Sequence, residues 1–248
     1  MTLTRLLSLC LTALAPLMLA ACGGDAATGD ASSEPLPIVA PPAGTTWALK
    51  TTVTERGGYL VGNPDAPLKL VEYGSLTCPA CAKFSEEGMK PLMETYVNSG
   101  RVSYEFRSFI IHGPLDLALT RLIGCAAPEA AVPLADQIWA NLGPIQQRAF
   151  ANESALADLN QFPENERFVR FGEVTGLYEF FAARGISADQ ARTCLGDFAS
   201  LEKLSKTSES YGTEDKINQT PTFVLNGTKL EASSWADLEP KLQRAGAR

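Results

Sequence analysis

The chain has 248 residues, of which 45% are hydrophobic, and a formal net charge of −7. This length allows one sizeable hydrophobic core or two small ones. The acidic balance argues against nucleic acid and against an anionic membrane surface as partners, because both repel a negatively charged protein.

The N-terminal segment, residues 1–21, has the composition of an export signal and is kept out of the fold prediction. Arg5 precedes an apolar run, residues 6–20, that is too short to span a bilayer comfortably. Small residues then lead directly into Cys22, which resembles the lipobox of bacterial lipoproteins. The resemblance implies a lipid anchor on Cys22 in the bacterial cell envelope, facing the periplasm or another extracytoplasmic space. An ordinary signal peptide with an incidental Cys22 is the alternative.

Residues 22–46 are rich in Ala, Gly, Ser, Asp and Pro. A segment of this composition cannot bury enough apolar surface to offset the chain entropy lost on ordering. We therefore predict a disordered tether here, followed by a folded domain over residues 47–248.

A β-prone apolar run, residues 68–73, leads through a turn into the tetrapeptide Cys78-Pro79-Ala80-Cys81. The residues beyond favour a helix, and Pro79 suits its first position, where a missing N–H costs nothing. Cys78 then caps the helix, where free N–H groups and the helix dipole stabilise a thiolate, the reactive form of cysteine. Cys81 lies on the first turn within disulfide reach. This pattern predicts a reversible dithiol–disulfide switch.

Beyond the cysteine motif we predict a strand, then a helical region, then two further strands. Residues 101–107 alternate as a strand, and Asn226-Gly227 predicts a tight hairpin. Between them we predict helices separated by prolines, at residues 115–126, 134–142, 167–177 and 188–194. Ser187 and Gln190 form a capping box at the start of the last of these helices. The final segment, residues 233–247, is predicted to be helical, with Pro240 kinking it or delaying its start.

Two separated blocks resemble the DsbA-type branch of the thioredoxin-like superfamily. The first runs from Gly-Asn-Pro-Asp-Ala-Pro, residues 62–67, through the strand to Cys-Pro-Ala-Cys. The second, Thr-Pro-Thr-Phe-Val-Leu-Asn-Gly at residues 220–227, matches the cis-proline strand and hairpin of that family. The resemblance covers residue 59 to the C-terminus. It implies an α/β, thioredoxin-like fold with a helical insertion domain, here at about residues 114–210.

The resemblance also implies a thiol–disulfide oxidoreductase for cysteine-containing protein substrates, with a membrane redox partner and with neither cofactor nor bound metal. Cys78 would attack, or be attacked, to form a mixed disulfide that Cys81 resolves. Pro221 would shape the substrate groove. The residues expected beside bound substrate are Pro79, Ala80 and Thr220.

Two positions near the cysteines bear on the chemistry. Glu72 stands six residues before Cys78, where DsbA-type proteins place a buried acid. A carboxyl in an apolar strand should be buried with a raised pKa, and it would accept the proton of Cys81; a solvated strand-edge carboxylate is the alternative. Ala80 stands where strong oxidants of this family have histidine. We therefore expect the Cys78 thiolate to be less stable, and the Cys78–Cys81 disulfide to be less oxidising, than in those strong oxidants. A reductase or isomerase that receives electrons from a membrane donor is the alternative.

Two further cysteines, Cys125 and Cys194, lie in predicted helices of the insertion. In an exported protein the two remaining cysteines are expected to form a structural disulfide, and two buried free thiols are the alternative.

The single histidine, His112, is not expected to have a chemical role. A non-catalytic lipoprotein or a Cu(I) carrier is a different class of function, since soft thiolates bind Cu(I). No Met- or His-rich cluster accompanies the cysteine pair, however.

Overall fold

The computed structural model describes residues 34–248, whose strands form a six-stranded mixed sheet. The strands are β1 Thr51–Val53, β2 Tyr59–Val61, β3 Leu68–Gly74, β4 Val102–Ser108, β5 Thr222–Leu225 and β6 Thr228–Lys229. They lie in the order β1-β2-β4-β3-β5-β6, with β3 and β4 parallel and every other neighbouring pair antiparallel. The predicted α/β class is confirmed, and β3 is a central strand that delivers the cysteine motif.

A helix lies at each predicted range, with different boundaries, and further helices lie outside those ranges. The helices are α1 Pro79–Phe84, α2 Pro114–Ile123, α3 Pro128–Ala140, α4 Leu142–Ala151, α5 Glu153–Ala157, α6 Glu164–Val174, α7 Leu177–Ala182, α8 Ala188–Gly196, α9 Phe198–Thr213 and α10 Trp235–Arg244. Wider π-type turns, Ser85–Met89 and Leu92–Val97, continue α1, and 3₁₀ turns lie at Trp47–Leu49 and Asp158–Gln161. In the described chain, α2 to α9 all fall between β4 and β5, where the insertion was predicted.

The prolines interrupt these helices less than expected. Pro133 lies inside α3, and Pro144 lies in the first turn of α4, where an N–H has no intrahelical partner. Pro240 lies inside α10, which already begins at Trp235 because the Ser234 hydroxyl caps it by accepting the Asp237 N–H. The prediction that prolines separate the helices is therefore wrong for Pro133 and Pro144, and the last helix does not start late at Pro240.

One face of the sheet is covered by α1 and α3 through aromatic contacts. The ring of Phe84 in α1 lies 4.6 Å from that of Phe223 in β5, and Trp139 in α3 lies 5.4 Å from Phe106 in β4. Glu72 in β3 pairs in register with both Phe106 and Phe223. The alternation of the strand therefore places this carboxyl in the apolar layer beneath α1.

The ordered domain begins before the predicted boundary at Trp47. The Val39 N–H donates to the Ser99 carbonyl at 2.9 Å, and the Trp47 indole N–H donates to the Val39 carbonyl at 2.7 Å. Gly100 permits this close approach, because a Cβ there would lie 2.4 Å from the Val39 carbonyl oxygen. The prediction of a disordered tether is wrong for the segment around Val39, since composition alone does not reveal backbone hydrogen bonds to a neighbouring surface.

The predicted signal peptide, residues 1–21, lies outside the described residues, as do Cys22 and residues 23–33 of the predicted tether. Within residues 34–248, no helix combines the length and the apolar character needed to cross a bilayer.

A disulfide joins Cys125, which follows α2, to Cys194 in α8 across 69 residues of sequence. We expect a Cys125→Ala/Cys194→Ala double variant to lose about 2–4 kcal/mol of unfolding free energy, because the unfolded chain regains the freedom of the opened loop. Urea titrations of the variant and the wild type measure this loss. Alkylation of Cys125 or Cys194 in denatured, unreduced wild-type protein would show that the bridge is absent.

Candidate active site

Cys78 and Cys81 lie where the central strand β3 gives way to α1. Cys78 is the N-cap with extended backbone (φ −87°, ψ 121°), and Pro79 is the first helical residue. The Cys78 N–H donates to the Ser75 carbonyl at 3.2 Å, which closes the turn between strand and helix. Both cysteines are free thiols, and Cys78 is 6% exposed whereas Cys81 has no exposure at all. Only Cys78 can therefore be reached by another molecule.

The environment of Cys78 favours a thiolate. The side chain of Cys81 is the largest influence that lowers the pKa of Cys78, to about 5, against the opposing effect of burial. The Thr220 side chain and the backbone N–H groups of Cys81 and Ala80 lower it further. Ala80 contributes no side-chain charge, so the lowering comes from the Cys81 and Thr220 side chains and from backbone N–H groups.

The predicted cis-proline segment lies against Cys78. The Thr220–Pro221 peptide bond is cis, and the Thr220 carbonyl accepts the thiol hydrogen of Cys78 at 3.4 Å. The buried Thr220 hydroxyl has no hydrogen-bond partner within the described residues. It is therefore available to donate to Cys78 when that sulfur is ionised. Pro79 and Ala80, which directly follow Cys78, are exposed.

Cys81 is a much weaker acid than Cys78. Burial raises the pKa of the Cys81 thiol far above its usual range, and the hydrogen bond to Cys78 and the negative charge of Glu72 raise it further. Such a thiol is protonated at neutral pH and needs a base before it can act as a nucleophile. The two sulfurs are therefore differentiated as a reactive thiolate and a shielded thiol.

Glu72 is fully buried in the layer beneath α1. Burial raises its pKa to about 8, and the charges of Asp136 and Cys78 add to this, while a hydrogen bond from Tyr104 opposes it. The Tyr104 hydroxyl donates to Oε2 at 2.6 Å, whereas Oε1 has no partner within the described residues. Gly74 leaves room for this oxygen, since a Cβ there would lie 2.9 Å from it. The carboxyl thus has one oxygen free to exchange a proton near neutral pH.

Asp136 in α3 is a second acid near this centre that the sequence did not single out. It accepts the Ser85 hydroxyl hydrogen at 2.9 Å, one helical turn beyond Cys81. Burial raises the pKa of Asp136 to about 6, and its charge raises the pKa of Glu72. No sequence pattern marks Asp136, because only the packing of α3 on α1 brings it to the site.

The turn before Cys78 is fixed by a polar cluster. The buried Asp116 accepts the Ser75 hydroxyl hydrogen at 2.7 Å and the Leu76 N–H at 3.0 Å. His112 Nδ1 lies 3.0 Å from the Ser75 hydroxyl and 3.1 Å from that of Thr77. Although Ser, His and Asp also form hydrolase triads, Ser75 is completely buried and donates directly to Asp116, so it is not a nucleophile here. The cluster holds the turn that positions Cys78.

Seven of the predicted site residues lie together in the structure. Those gathered are Cys78, Cys81, Glu72, Pro79, Ala80, Thr220 and Pro221. The Cys125–Cys194 disulfide lies in the helical insertion, and Cys22 lies outside the described residues.

Comparison with known proteins agrees with this geometry. A protein-family model described as thioredoxin matches residues 54–244. The chain belongs to the thioredoxin family. Within this family, the solved structure of protein-disulfide isomerase from Novosphingobium aromaticivorans is 27% identical with a TM-score of 0.68, and the match covers 74% of this chain and 94% of that one.

Two further proteins are similar to this chain. Wolbachia pipientis alpha-DsbA1 is 18% identical with a TM-score of 0.59 over 82% of this chain and 98% of its own, a likeness of fold. A Rickettsia bellii protein named "Putative protein-disulfide oxidoreductase" is 22% identical over 77% of this chain. The present chain spans 65% of that relative's length.

Proposed function

We propose that this chain is an extracytoplasmic oxidant of protein cysteines that works through the Cys78–Cys81 pair. The observation that carries the proposal is the split in acidity, with the pKa of Cys78 lowered to about 5 and that of Cys81 raised. A stabilised Cys78 thiolate favours the reduced pair, and a pair that is stable when reduced is a strong acceptor of electrons when oxidised. This supports the oxidant over the reductase or isomerase.

The reaction begins from the Cys78–Cys81 disulfide. A substrate thiolate attacks the Cys78 sulfur, which forms a mixed disulfide and expels Cys81 as a thiolate. A second substrate thiolate then attacks the substrate sulfur of that mixed disulfide and expels the Cys78 thiolate, a good leaving group because its pKa is low. The substrate loses two electrons to form a disulfide, and the reduced pair must pass them to an acceptor. We assign that role to a membrane redox partner.

Glu72 would balance the proton of Cys81 in this cycle. With a pKa of about 8, it is largely protonated at neutral pH and can give a proton to Cys81 as that sulfur leaves. In the reverse direction the same carboxylate accepts the proton of Cys81 as that thiol attacks. One acid thus serves both directions, as microscopic reversibility requires.

Oxidative refolding tests the proposal. A reduced, unfolded protein with a single native disulfide should regain it faster with the oxidised chain than without, and Cys78→Ser should abolish the effect. Equilibration of the pair with glutathione should give a potential nearer the roughly −120 mV of strong oxidants than the roughly −270 mV of reductants. Stoichiometric Cu(I) binding without any disulfide turnover would instead favour the carrier function.

The location of the protein is also a proposal, and Cys22 offers its test. If Cys22 carries a lipid, Cys22→Ser should release the protein from the membrane fraction or leave its precursor uncut, because the anchor and the cleavage signal are lost together. Cell fractionation and metabolic labelling with a fatty acid measure both effects. Unchanged membrane association and labelling of the variant would contradict the anchor.

A further inference from the structure

The segment before β1 is fastened to one end of the sheet. The Leu36 N–H donates to the Gly246 carbonyl at 2.9 Å, and the Ala48 N–H donates to Oδ1 of Asn98 at 2.8 Å. Asn98 precedes the start of β4, whereas Cys78 follows the end of β3, which runs parallel to β4. The seven residues of β3 extend about 20 Å, at roughly 3.3 Å each. The segment and Cys78 therefore lie at opposite ends of the sheet.

This segment exposes three large apolar side chains. Ile38 and Leu49 are 69% and 67% exposed, and Val39 is 38% exposed. The Trp47 indole N–H, which donates to the Val39 carbonyl, holds the two parts of the segment together. Elsewhere in residues 34–248, large apolar side chains are exposed only at Val53, Ile111 and Phe150. We call Ile38, Val39 and Leu49 the apolar patch, and such a concentration marks a surface that interacts with another partner.

The charge at this end of the sheet differs from that of the whole chain. Hydrogen bonds bring together four segments here, residues 34–50, 62–67, 98–101 and 244–248. Their basic side chains are Lys50, Arg101, Arg244 and Arg248, and their acidic side chains are Glu34 and Asp65. Four basic and two acidic side chains give a local charge of +2, against −7 for the whole chain. An anionic lipid surface therefore attracts this end of the domain, although the acidic balance of the whole chain argues against such a contact.

The proposed lipid anchor selects the bilayer as the partner of the apolar patch. Glu34 follows the attachment site, Cys22, by 12 residues, which span at most about 40 Å when fully extended. Apolar side chains combined with basic ones are typical of surfaces that lie in the membrane interface. We propose that the apolar patch lies in the headgroup region of the bilayer that holds the Cys22 lipid, with Cys78 on the side of the domain away from the membrane. This inference rests on the proposed lipid anchor.

This orientation restricts the partners of Cys78. Soluble polypeptides reach the reactive sulfur directly. A membrane redox partner cannot do so from within the bilayer, because the length of β3 holds Cys78 about 20 Å or more above the apolar patch. Such a partner must therefore carry its cysteines on a segment that projects from the membrane.

Quenching of fluorescence by lipids tests the orientation. An environment-sensitive dye is placed on a single cysteine that replaces one of four exposed apolar residues, Ile38, Leu49, Ile111 or Phe150. The full chain, exported and processed by the cell and with serine at both redox-active cysteines, is reconstituted into anionic vesicles that contain a headgroup-quenching lipid. We expect roughly twofold or greater quenching at positions 38 and 49, since interfacial surfaces lie about 5–10 Å into the headgroup and acyl boundary. The dyes at positions 111 and 150 are matched controls outside the apolar patch and should be quenched little.

A pair of double variants tests whether the apolar patch itself causes the contact. The dye is placed on Thr46→Cys, an exposed polar position of the same segment. Ile38→Ser/Leu49→Ser should reduce its quenching by roughly twofold or more, because the side chains that enter the interface are lost. Ile111→Ser/Phe150→Ser removes two exposed apolar side chains outside the patch and should leave the quenching unchanged. All four positions are exposed, so none of these substitutions opens a cavity in the core.

The outcomes separate this inference from the anchor and from the activity. A protein that stays in the soluble fraction and takes up no fatty-acid label would refute the anchor and the orientation together. A labelled, membrane-bound protein with equal quenching at all four dye positions, or with none, would refute the orientation alone. Failure to catalyse oxidative refolding contradicts the proposed function, whereas the quenching pattern does not depend on it. Self-association in sedimentation experiments that Ile38→Ser/Leu49→Ser abolishes would instead assign the apolar patch to a second copy of the chain.

Discussion

A Cys81→Ser protein is expected to accumulate covalent adducts with cell-envelope proteins. Reduced Cys78 attacks a substrate disulfide and forms a mixed disulfide, which Cys81 normally breaks by attacking the same bond. Serine cannot make that attack, so the adduct persists. Acid quenching, alkylation and non-reducing gels should show ladders of adducts that collapse on reduction. Cys78→Ser should form none, because the remaining Cys81 thiol is completely buried.

A companion variant examines why Cys78 is reactive. The Cys81 side chain is the largest influence that lowers the pKa of Cys78, and a serine hydroxyl can replace it as a donor. Cys81→Ala cannot, so thiolate absorbance should titrate near pH 5 in the Ser variant and at higher pH in the Ala variant. Absence of any Cys78-dependent adduct with envelope extracts would leave the oxidoreductase function without support.

Replacing Glu72 by Gln is expected to stabilise the folded protein at neutral and alkaline pH. The pKa of Glu72 is raised from 4.5 to about 8 in the folded state, chiefly by burial, so folding takes up a proton throughout this range. Stability contributed by this group is therefore present at low pH and is lost as the pH rises through the window. The loss reaches several kcal/mol, at about 1.4 kcal/mol for each unit of the shift, and Gln does not incur it. Urea titrations between pH 4 and 9, with the cysteines held in one redox state, measure the difference.

The same substitution should slow the chemistry that involves Cys81. Without a proton acceptor near the buried thiol, attack by Cys81 on a mixed disulfide should fall by roughly 100- to 10,000-fold, and the rate should no longer rise as the pH passes through about 8. Glu105→Gln is a matched control, because Glu105 is also buried in the sheet but pairs with Arg107 at 2.8 Å. It should lower stability and leave the pH profile unchanged. Equal stability of Glu72→Gln and wild type at pH 8 would show that Glu72 is not held protonated.

The local framework of the site can be predicted from short stretches of sequence. The apolar run followed by Cys-Pro-Ala-Cys dictates a strand, a turn and a helix whose first residue is proline, since each step follows from local propensity and capping. The Asn226-Gly227 hairpin forms as predicted, with both residues at positive φ. The capping box is half formed: Ser187 accepts the Gln190 N–H, but the Gln190 side chain donates to the Cys125 carbonyl instead of closing the box.

The side chains that surround the two sulfurs, and the acidity of those sulfurs, depend on tertiary packing. Glu72 was predicted from the resemblance to DsbA-type proteins and from its place in an apolar strand. Asp136 and Asp116, in contrast, come from helices of the insertion, far along the sequence from the cysteines. An acid in a helix has the same local signature whether it faces water or a buried thiol. The pKa of Cys78 likewise depends on Thr220, which meets it across 142 residues of chain. Local propensity acts over a few residues, whereas burial and charge act through space. The reactivity of this cysteine pair therefore depends on how the helical insertion and the cis-proline segment pack around it, which local sequence does not specify.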